Sequence, residues 1–363
     1  MDEPNEAVMV DPNASTTTKD LYNRLRKLSA THTLFGHQDA LAYGATWKDW
    51  HYFRSDVKDT CGQHPAVFGW EIGHLGRKQL NIDDVDFNQL QVWIRQVHLA
   101  GGINTISWHM DNFLGGDAWS AGPPTVSAIL PEGHKHGAYR KSLAAFAKFV
   151  RGIPNSRNDD TPPPLIFRPF HEHSGHWFWW GKPHASRREY IALWRFTVRY
   201  LRDQMDLHNL IWCYSPDIIE SAEHYLDYYP GDDYVDVFGL DDYHDLGRLG
   251  RASDLTRRLR IVVELAETRG KIAALTETGN EGVKHKNWWT EKLWPAISAD
   301  PIASRIAWML VWRNASIRHH FGPYPEHASA ADFREFAAKE EVLLLDDLNK
   351  FTTPSQDANQ NVA

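Results

Sequence analysis

The chain has 363 residues, 42% of them hydrophobic, enough for a sizeable core in one to three domains or in a single alternating-layer barrel. Its 39 Lys and Arg stand against 47 Asp and Glu for a net charge of −8, with no long basic run, which argues against a nucleic-acid partner. No run of 18 apolar residues occurs, so no membrane-spanning helix is predicted.

Residues 1–18 are small and polar, and a disordered spacer is predicted there. The opening Met1-Asp2-Glu3-Pro4-Asn5-Glu6-Ala7 reads as a polar linker restarted at Met, consistent with removal of an export segment. From there eight short apolar runs follow, each ending in polar or aromatic residues. They begin at Leu34, Ala66, Ile103, Leu165, Leu210, Val235, Ile272 and Ile306. Continuous runs, rather than alternating ones, suit strands covered on both faces. Helical spacing fills the gaps: Phe87, Leu90, Ile94, Val97; then Leu143, Phe146, Val150; then Leu255, Leu259, Val262, Leu265. Gly101-Gly102 and Gly270 mark helix ends. A polar, Pro-rich loop runs from Arg157 to Pro164, and a disordered tail is predicted over 349–363. With no linker between, the pattern predicts an α/β fold, a single-domain (β/α)8 TIM barrel over 19–348. The rival, an open doubly wound sheet, lacks its Gly-x-Gly-x-x-Gly after the first strand. Cys61 and Cys213 are expected to be unpaired thiols.

In such a barrel, reactive groups gather where strands end. His37, Glu71, His109, Glu172, Asp217, Tyr243, Glu277 and Arg313 would ring that mouth. The 16 Trp and 13 Tyr exceed what a core of this size demands, and indole faces stack on sugar rings. The negative charge favours sugars over phosphates. The segment Arg168-Pro169-Phe170-His171-Glu172-His173-Ser174-Gly175-His176-Trp177-Phe178-Trp179-Trp180-Gly181 sets one acid among histidines and indoles. Desolvation there raises a carboxyl pKa, as a general acid near neutral pH requires. Glu277 has small neighbours in Leu275-Thr276-Glu277-Thr278-Gly279, which leave room for nucleophilic attack. Strands four and seven lie nearly opposite in an eight-strand ring, so the two acids can face each other across a substrate. A gap of about 5–5.5 Å gives double displacement and about 6.5–9.5 Å gives inversion. Tyr243 is placed to donate to Glu277 and keep it ionised. The structural alternatives are a buried Glu172 paired with Arg168, and a strand-end salt bridge at Glu277.

Other chemistries fit less well. His171-Glu172-His173 and His134-Lys135-His136 resemble metal ligands, but no His-Glu-x-x-His or cysteine pair accompanies them, so no metal is expected. His134 and His136 read as loop residues. Ser174 lies outside any Gly-x-Ser-x-Gly elbow. Trp194 and Trp212 read as core, and Trp288, Trp289 and Trp294 as a helix with one buried face. Trp119, in a Gly-rich loop, is the better stacking candidate. Phe178, Trp179 and Trp180 are expected to divide between loop packing and the cleft.

Over about residues 20–345 the chain resembles glycoside hydrolase family 26, whose main members are β-mannanases. The resemblance is carried by Ser107-Trp108-His109, Arg168-Pro169-Phe170-His171-Glu172, Gly175-His176-Trp177-Phe178-Trp179-Trp180-Gly181, Asp241-Asp242-Tyr243, Thr276-Glu277-Thr278-Gly279 and Trp312-Arg313. It implies a retaining endo-hydrolase of β-1,4-mannosidic bonds in mannan, glucomannan or galactomannan, with no cofactor. By the same resemblance Glu172 is acid/base and Glu277 nucleophile. His171 orients Glu172 or touches the sugar, and His109 bonds the sugar on the non-reducing side. Trp177 and Tyr243 wall the reacting site, while Trp312 and Arg313 hold the next sugar. Where many relatives carry Met-Asn-Gly after the acid, this chain has His173-Ser174-Gly175, and His176 replaces a common Asp. These differences bear on preference at the leaving-group side rather than on the chemistry. The alternatives are a relative acting on mixed-linkage β-glucan or xylan, and a catalytically silent glycan-binding barrel. A monomer exported to the periplasm or cell exterior is expected.

Overall fold

The eight apolar runs form eight parallel strands in a computed structural model. They are β1 (Thr33–Gln38), β2 (Val67–Glu71), β3 (Ile103–Ser107), β4 (Leu165–Arg168), β5 (Leu210–Tyr214), β6 (Val237–Asp242), β7 (Ile272–Thr278) and β8 (Trp308–Val311). Each pairs in parallel with the next, and β1 pairs with both β2 and β8, so the ring closes as a (β/α)8 barrel. The structure describes residues 9–48, 53–122, 124–153, 161–248 and 251–351.

Every strand residue is buried, as continuous apolar runs require. Successive side chains alternate between two clusters. Leu34, Val67, Ile103, Ile166, Ile211, Val237, Ile272, Ala274 and Leu310 pack together inside the barrel. Phe35, Phe68, Trp70, Ile106, Phe167, Trp212, Phe238 and Leu275 belong to the layer under the helices. The three predicted helical stretches are helices Phe87–Leu99, His136–Arg151 and Ala252–Thr268. His136 therefore opens a helix rather than lying in a loop. Gly270, after the last of these, has φ +66°, a backbone state that costs a side-chain-bearing residue strain. Trp194, Trp212, Trp288 and Trp289 are buried, and Cys61 and Cys213 are unpaired.

The predicted spacer requires correction from residue 9 onward. Met9, Val10 and Ala14 are buried, and the Val10 N–H donates to Asp236 Oδ1 at 2.8 Å. Helix Thr16–Leu28 starts on a Ser15 cap and buries Leu21, Tyr22, Leu25 and Leu28 in the same cluster as the barrel interior. A few apolar residues among polar ones suffice here because they meet an open barrel end. Residues 1–8 lie outside the described residues, as do 352–363 and, within the Pro-rich loop, 157–160. Helix Leu345–Lys350 carries ordered structure past 348, and a short β9 (Val342–Leu343) pairs with β1.

The strand alternation breaks at one place. Leu240 of β6 faces Leu275 of β7, but Asp241 faces Glu277, so Thr276 is an extra residue in β7. Ala274 points inward and Leu275 outward, so strict alternation would send Glu277 out to the helices. The bulge restores it to the interior. Glu71, Arg168 and Asp241 need no such device, since each lies an even number of residues from an inward neighbour: Val67, Ile166 and Val237.

Candidate active site

Arg168, at the inner end of β4, is buried and organises the centre of the mouth. Its Nη1 donates to Asp241 Oδ2 at 2.7 Å, and its Nη2 to Glu277 Oε1. Burial alone would lower the guanidinium pKa, but the Asp241 and Glu277 charges outweigh it and hold Arg168 cationic. Asp241 also accepts from Ser215 at 3.0 Å and from Thr276, the bulge residue, at 2.6 Å. On the other oxygen, Glu277 Oε2 accepts from Tyr243 OH at 2.8 Å, the bond expected from sequence. The salt bridge weighed for Glu277 is thus present, and its partner is Arg168. Arg168 is bonded to Glu277 and Asp241, not to Glu172, which sets aside the other structural alternative.

Glu172 sits in the turn after β4, where Phe170 and Glu172 have φ +51° and +52°. Two side-chain-bearing residues in left-handed conformations store strain, and the Glu172 N–H bond to Ser215 O, 2.8 Å, helps hold the turn. Trp177 Nε1 donates to Glu172 Oε2 at 2.6 Å. The Glu172 carboxyl lies well above its ordinary value because it is buried, with the charges of Glu277, Asp241 and Asp217 adding to the rise and Trp177 opposing it. Gly175 lets Trp177 lie close: a Cβ there would come within 2.4 Å of the indole.

This raised pKa carries a stability cost with a definite sign. Below the ordinary carboxyl range Glu172 is neutral folded and unfolded, and costs nothing. As pH rises past that range the unfolded chain ionises while the folded chain still holds the proton, so folding weakens until the folded pKa is passed. Glu172→Gln is therefore expected to raise the thermal midpoint by about 1–3 °C at pH 7. The gain should vanish near pH 4; calorimetry showing equal gains at both pH values would count against this environment.

The remaining predicted residues fall on one side of this centre. His109, two residues past β3, is buried, with Trp119 stacked on its ring at 4.9 Å and Trp312 edge-on at 6.1 Å. Trp119 is 49% exposed, as suits a platform. His171 Nε2 lies 3.2 Å from His109 Nε2. Arg313 pairs with Asp83 at 2.9 Å and donates to Tyr43 OH at 3.2 Å, while Tyr43 donates to Asp39 at 2.6 Å. A cavity of about 220 Å³ opens there between Tyr43, Lys48, Asp83 and Arg313.

One expectation needs correcting. Phe178, Trp179 and Trp180 are all buried, so none divides toward the cleft. Trp179 and Trp180 donate to the carbonyls of Met110 and His171, at 2.7 and 2.8 Å, and pin the loop that carries Glu172. His173 is also buried, caged by the rings of Tyr190, Tyr214 and Tyr228 with Nε2 at 2.9 Å from Tyr214 OH, so its side chain packs inside the protein. Sequence reasoning missed Asp39, Tyr43, Asp83 and Asp241, and read Arg168 only as a partner for Glu172. Asp39, one residue past β1, and Asp241, inward near the end of β6, carried the strand-end signal that located the others. Among the described residues no group of three His, Cys, Asp or Glu is placed to hold a metal ion.

The sequence model of glycosyl hydrolase family 26 matches residues 10–301. A mannan endo-1,4-beta-mannosidase from Bifidobacterium adolescentis is 34% identical across 94% of this chain. The chain spans 36% of that relative's length. Among solved structures, a family 26 beta-mannanase from Bacteroides ovatus has 35% identity and a TM-score of 0.86 over 92% of this chain and 97% of its own. The catalytic domain of an endo-beta-1,4-mannanase from Bacillus sp. JAMB-750 has 34% identity and a TM-score of 0.87 over 96% and 97%. Sequence and backbone agree over most of the chain, including β4 with its turn to Glu172 and β7 with Glu277, and the chain belongs to glycosyl hydrolase family 26.

Proposed function

We propose that this chain hydrolyses β-1,4-mannosidic bonds within mannan, glucomannan or galactomannan, with retention of configuration. The observation that carries the reading is the contrast between two carboxyls at one mouth. Glu277 is held by a guanidinium and a phenol, whereas Glu172, part-buried beside Trp177, is biased toward its protonated form. Such a pair divides into nucleophile and acid. Glu172 gives its proton to the glycosidic oxygen as Glu277 attacks the anomeric carbon, and the C–O bond to the leaving sugar breaks. Glu172, now ionised, takes a proton from water, whose oxygen displaces Glu277 from the sugar and frees both carboxyls for another cycle. Trp177 and Tyr243 flank the reacting sugar, and His109, Trp119, Trp312 and Arg313 take the sugars on the non-reducing side.

The names of the relatives support mannan as substrate. No helix of the described residues is long and apolar enough to cross a membrane. A polymeric substrate supports work outside the cytoplasm, by a monomer that needs no cofactor. Side-by-side digestion of mannan, lichenan and xylan tests the assignment. Reducing ends are expected to appear at least about tenfold faster from mannan. Faster release from lichenan or xylan would reassign the substrate, and release from none would leave a glycan-binding barrel.

A further inference from the structure

Glu71 ends β2 on the barrel interior and is fully buried, yet the proposed mechanism gives it no task. Its carboxylate is completely filled. Oε1 accepts from the backbone N–H groups of Gly73 at 2.5 Å and His109 at 2.9 Å. Oε2 accepts from Ser107 Oγ at 2.9 Å and from His109 Nδ1 at 2.6 Å. Four donors on two buried oxygens leave no place for a proton on the carboxyl.

The consequence passes along a chain of two imidazoles. His109 Nδ1 is committed to Glu71 as a donor. Its Nε2 faces His171 Nε2 at 3.2 Å, and one of those nitrogens must donate while the other accepts. If His109 is an imidazolium, it donates at Nε2, and the His171 proton must sit on Nδ1. If His109 is neutral, its Nε2 accepts, and the His171 proton must sit on Nε2. The charge on His109 therefore selects the tautomer of the residue that precedes Glu172.

The surroundings decide between these states. Burial opposes a charge on His109, but the Glu71 carboxylate at 2.6 Å overcomes it, with Glu277 and Asp83 contributing, and its pKa is raised. Burial pushes Glu71 up, but the His109 charge and the bonds it receives bring it below the ordinary value. His171 is held neutral by its burial, then by the charges of Arg168 and His109. No other described group bonds the nitrogens of this pair: His171 Nδ1 has no partner within the protein among the described residues. Trp119 covers the other side of His109, nearly coplanar at 14°, a geometry in which an imidazolium gains cation–π attraction that a neutral ring lacks.

We propose that Glu71 is a positioning residue: by holding His109 as an imidazolium it fixes the proton of His171 on Nδ1 and anchors the exposed Trp119 indole over the site. The consequence for reaction rests on the proposed glycosidase reading, whereas the protonation states do not.

The test uses nitrogen-15 labelled protein, with His109 and His171 signals assigned through His109→Asn and His171→Asn variants. In the unsubstituted protein at pH 7, both His109 nitrogens are expected to carry protons, and His171 to carry one on Nδ1. A neutral His109 with His171 protonated on Nε2 overturns the proposal whether or not the enzyme turns over mannan. Glu71→Gln keeps the shape but removes the charge. In that variant the amide oxygen stays on the two backbone N–H groups and the amide NH2 faces His109 Nδ1, so His109 is expected to become neutral with its single proton on Nε2, and kcat/KM on mannan to fall about tenfold. The loss should grow from pH 5 to pH 8, because the weakened imidazolium titrates away as pH rises. A folded Glu71→Gln protein in which His109 still carries protons on both nitrogens at pH 7 and the pH profile is unchanged also overturns it. Should that variant fail to fold, the measurement on the unsubstituted protein decides alone. Absence of mannan turnover with the expected tautomers would instead fall on the substrate reading.

Discussion

Glu277→Gln is expected to lose mannan hydrolysis by about 10⁴-fold or more while the barrel stays folded. Glutamine fills the same space and still offers Arg168 an oxygen. The Tyr243 hydroxyl, now bonded to Oε2 at 2.8 Å, can turn to accept from the new amide. Arg168 keeps Asp241 at 2.7 Å, so the buried cation is not left alone. What is lost is the oxygen that bonds to the anomeric carbon, and among the described residues no other carboxylate is bonded to both Arg168 and Tyr243. A second consequence follows from proximity. Glu277 is the leading charge that raises the Glu172 pKa, so neutralising it should bring Glu172 down. Turnover within about tenfold of the parent enzyme would remove Glu277 from the mechanism.

Glu172→Ala is expected to divide the two chemical steps. A substrate with a very good leaving group needs little protonation, so its first step should survive. The second step, which needs a base to activate water, should slow by about 10²–10⁴-fold, giving a burst followed by a slow phase. Mannan, with a poor leaving group in both contexts, should lose turnover from the first step. The pH profile adds an independent readout. Glu172 must be protonated to start the reaction, so activity in the parent enzyme should fall as pH rises through its elevated pKa, and that alkaline limb should vanish with the side chain. If the activated substrate loses its burst as completely as mannan loses turnover, the acid lies elsewhere.

The strain in the acid-bearing turn fits the same picture. Phe170 and Glu172 both adopt left-handed backbone, and the cost is held in place by Trp180 on the His171 carbonyl, Tyr190 on the Phe170 carbonyl and Ser215 on the Glu172 N–H. The aromatic richness of the segment after Glu172 is thus mainly scaffolding. Only Trp177, half-buried and bonded to Glu172, stands beside the acid itself. Composition could not separate these roles, because a tryptophan that packs and one that faces a sugar look alike in sequence. Similarly, Val10 looked like part of a spacer because its value lies in meeting the open end of a barrel closed by residues far along the chain.

The sequence alone determined the strands, since runs such as Leu165–Phe167 and Ile272–Leu275 are too short for helices and too uniformly apolar for a solvated face. It also determined that Glu172 and Glu277 end strands four and seven, and hence that they share a mouth once the ring closes. Only the tertiary structure decided which way they face. Glu277 lies out of phase with its own strand, and the bulge at Thr276, visible only in the pairing with β6, turns it inward. Charge partnership was likewise hidden. Arg168 is four residues from Glu172 but joins Glu277, 109 residues away, because β4 and β7 point both groups into one buried volume where an unpaired charge is costly.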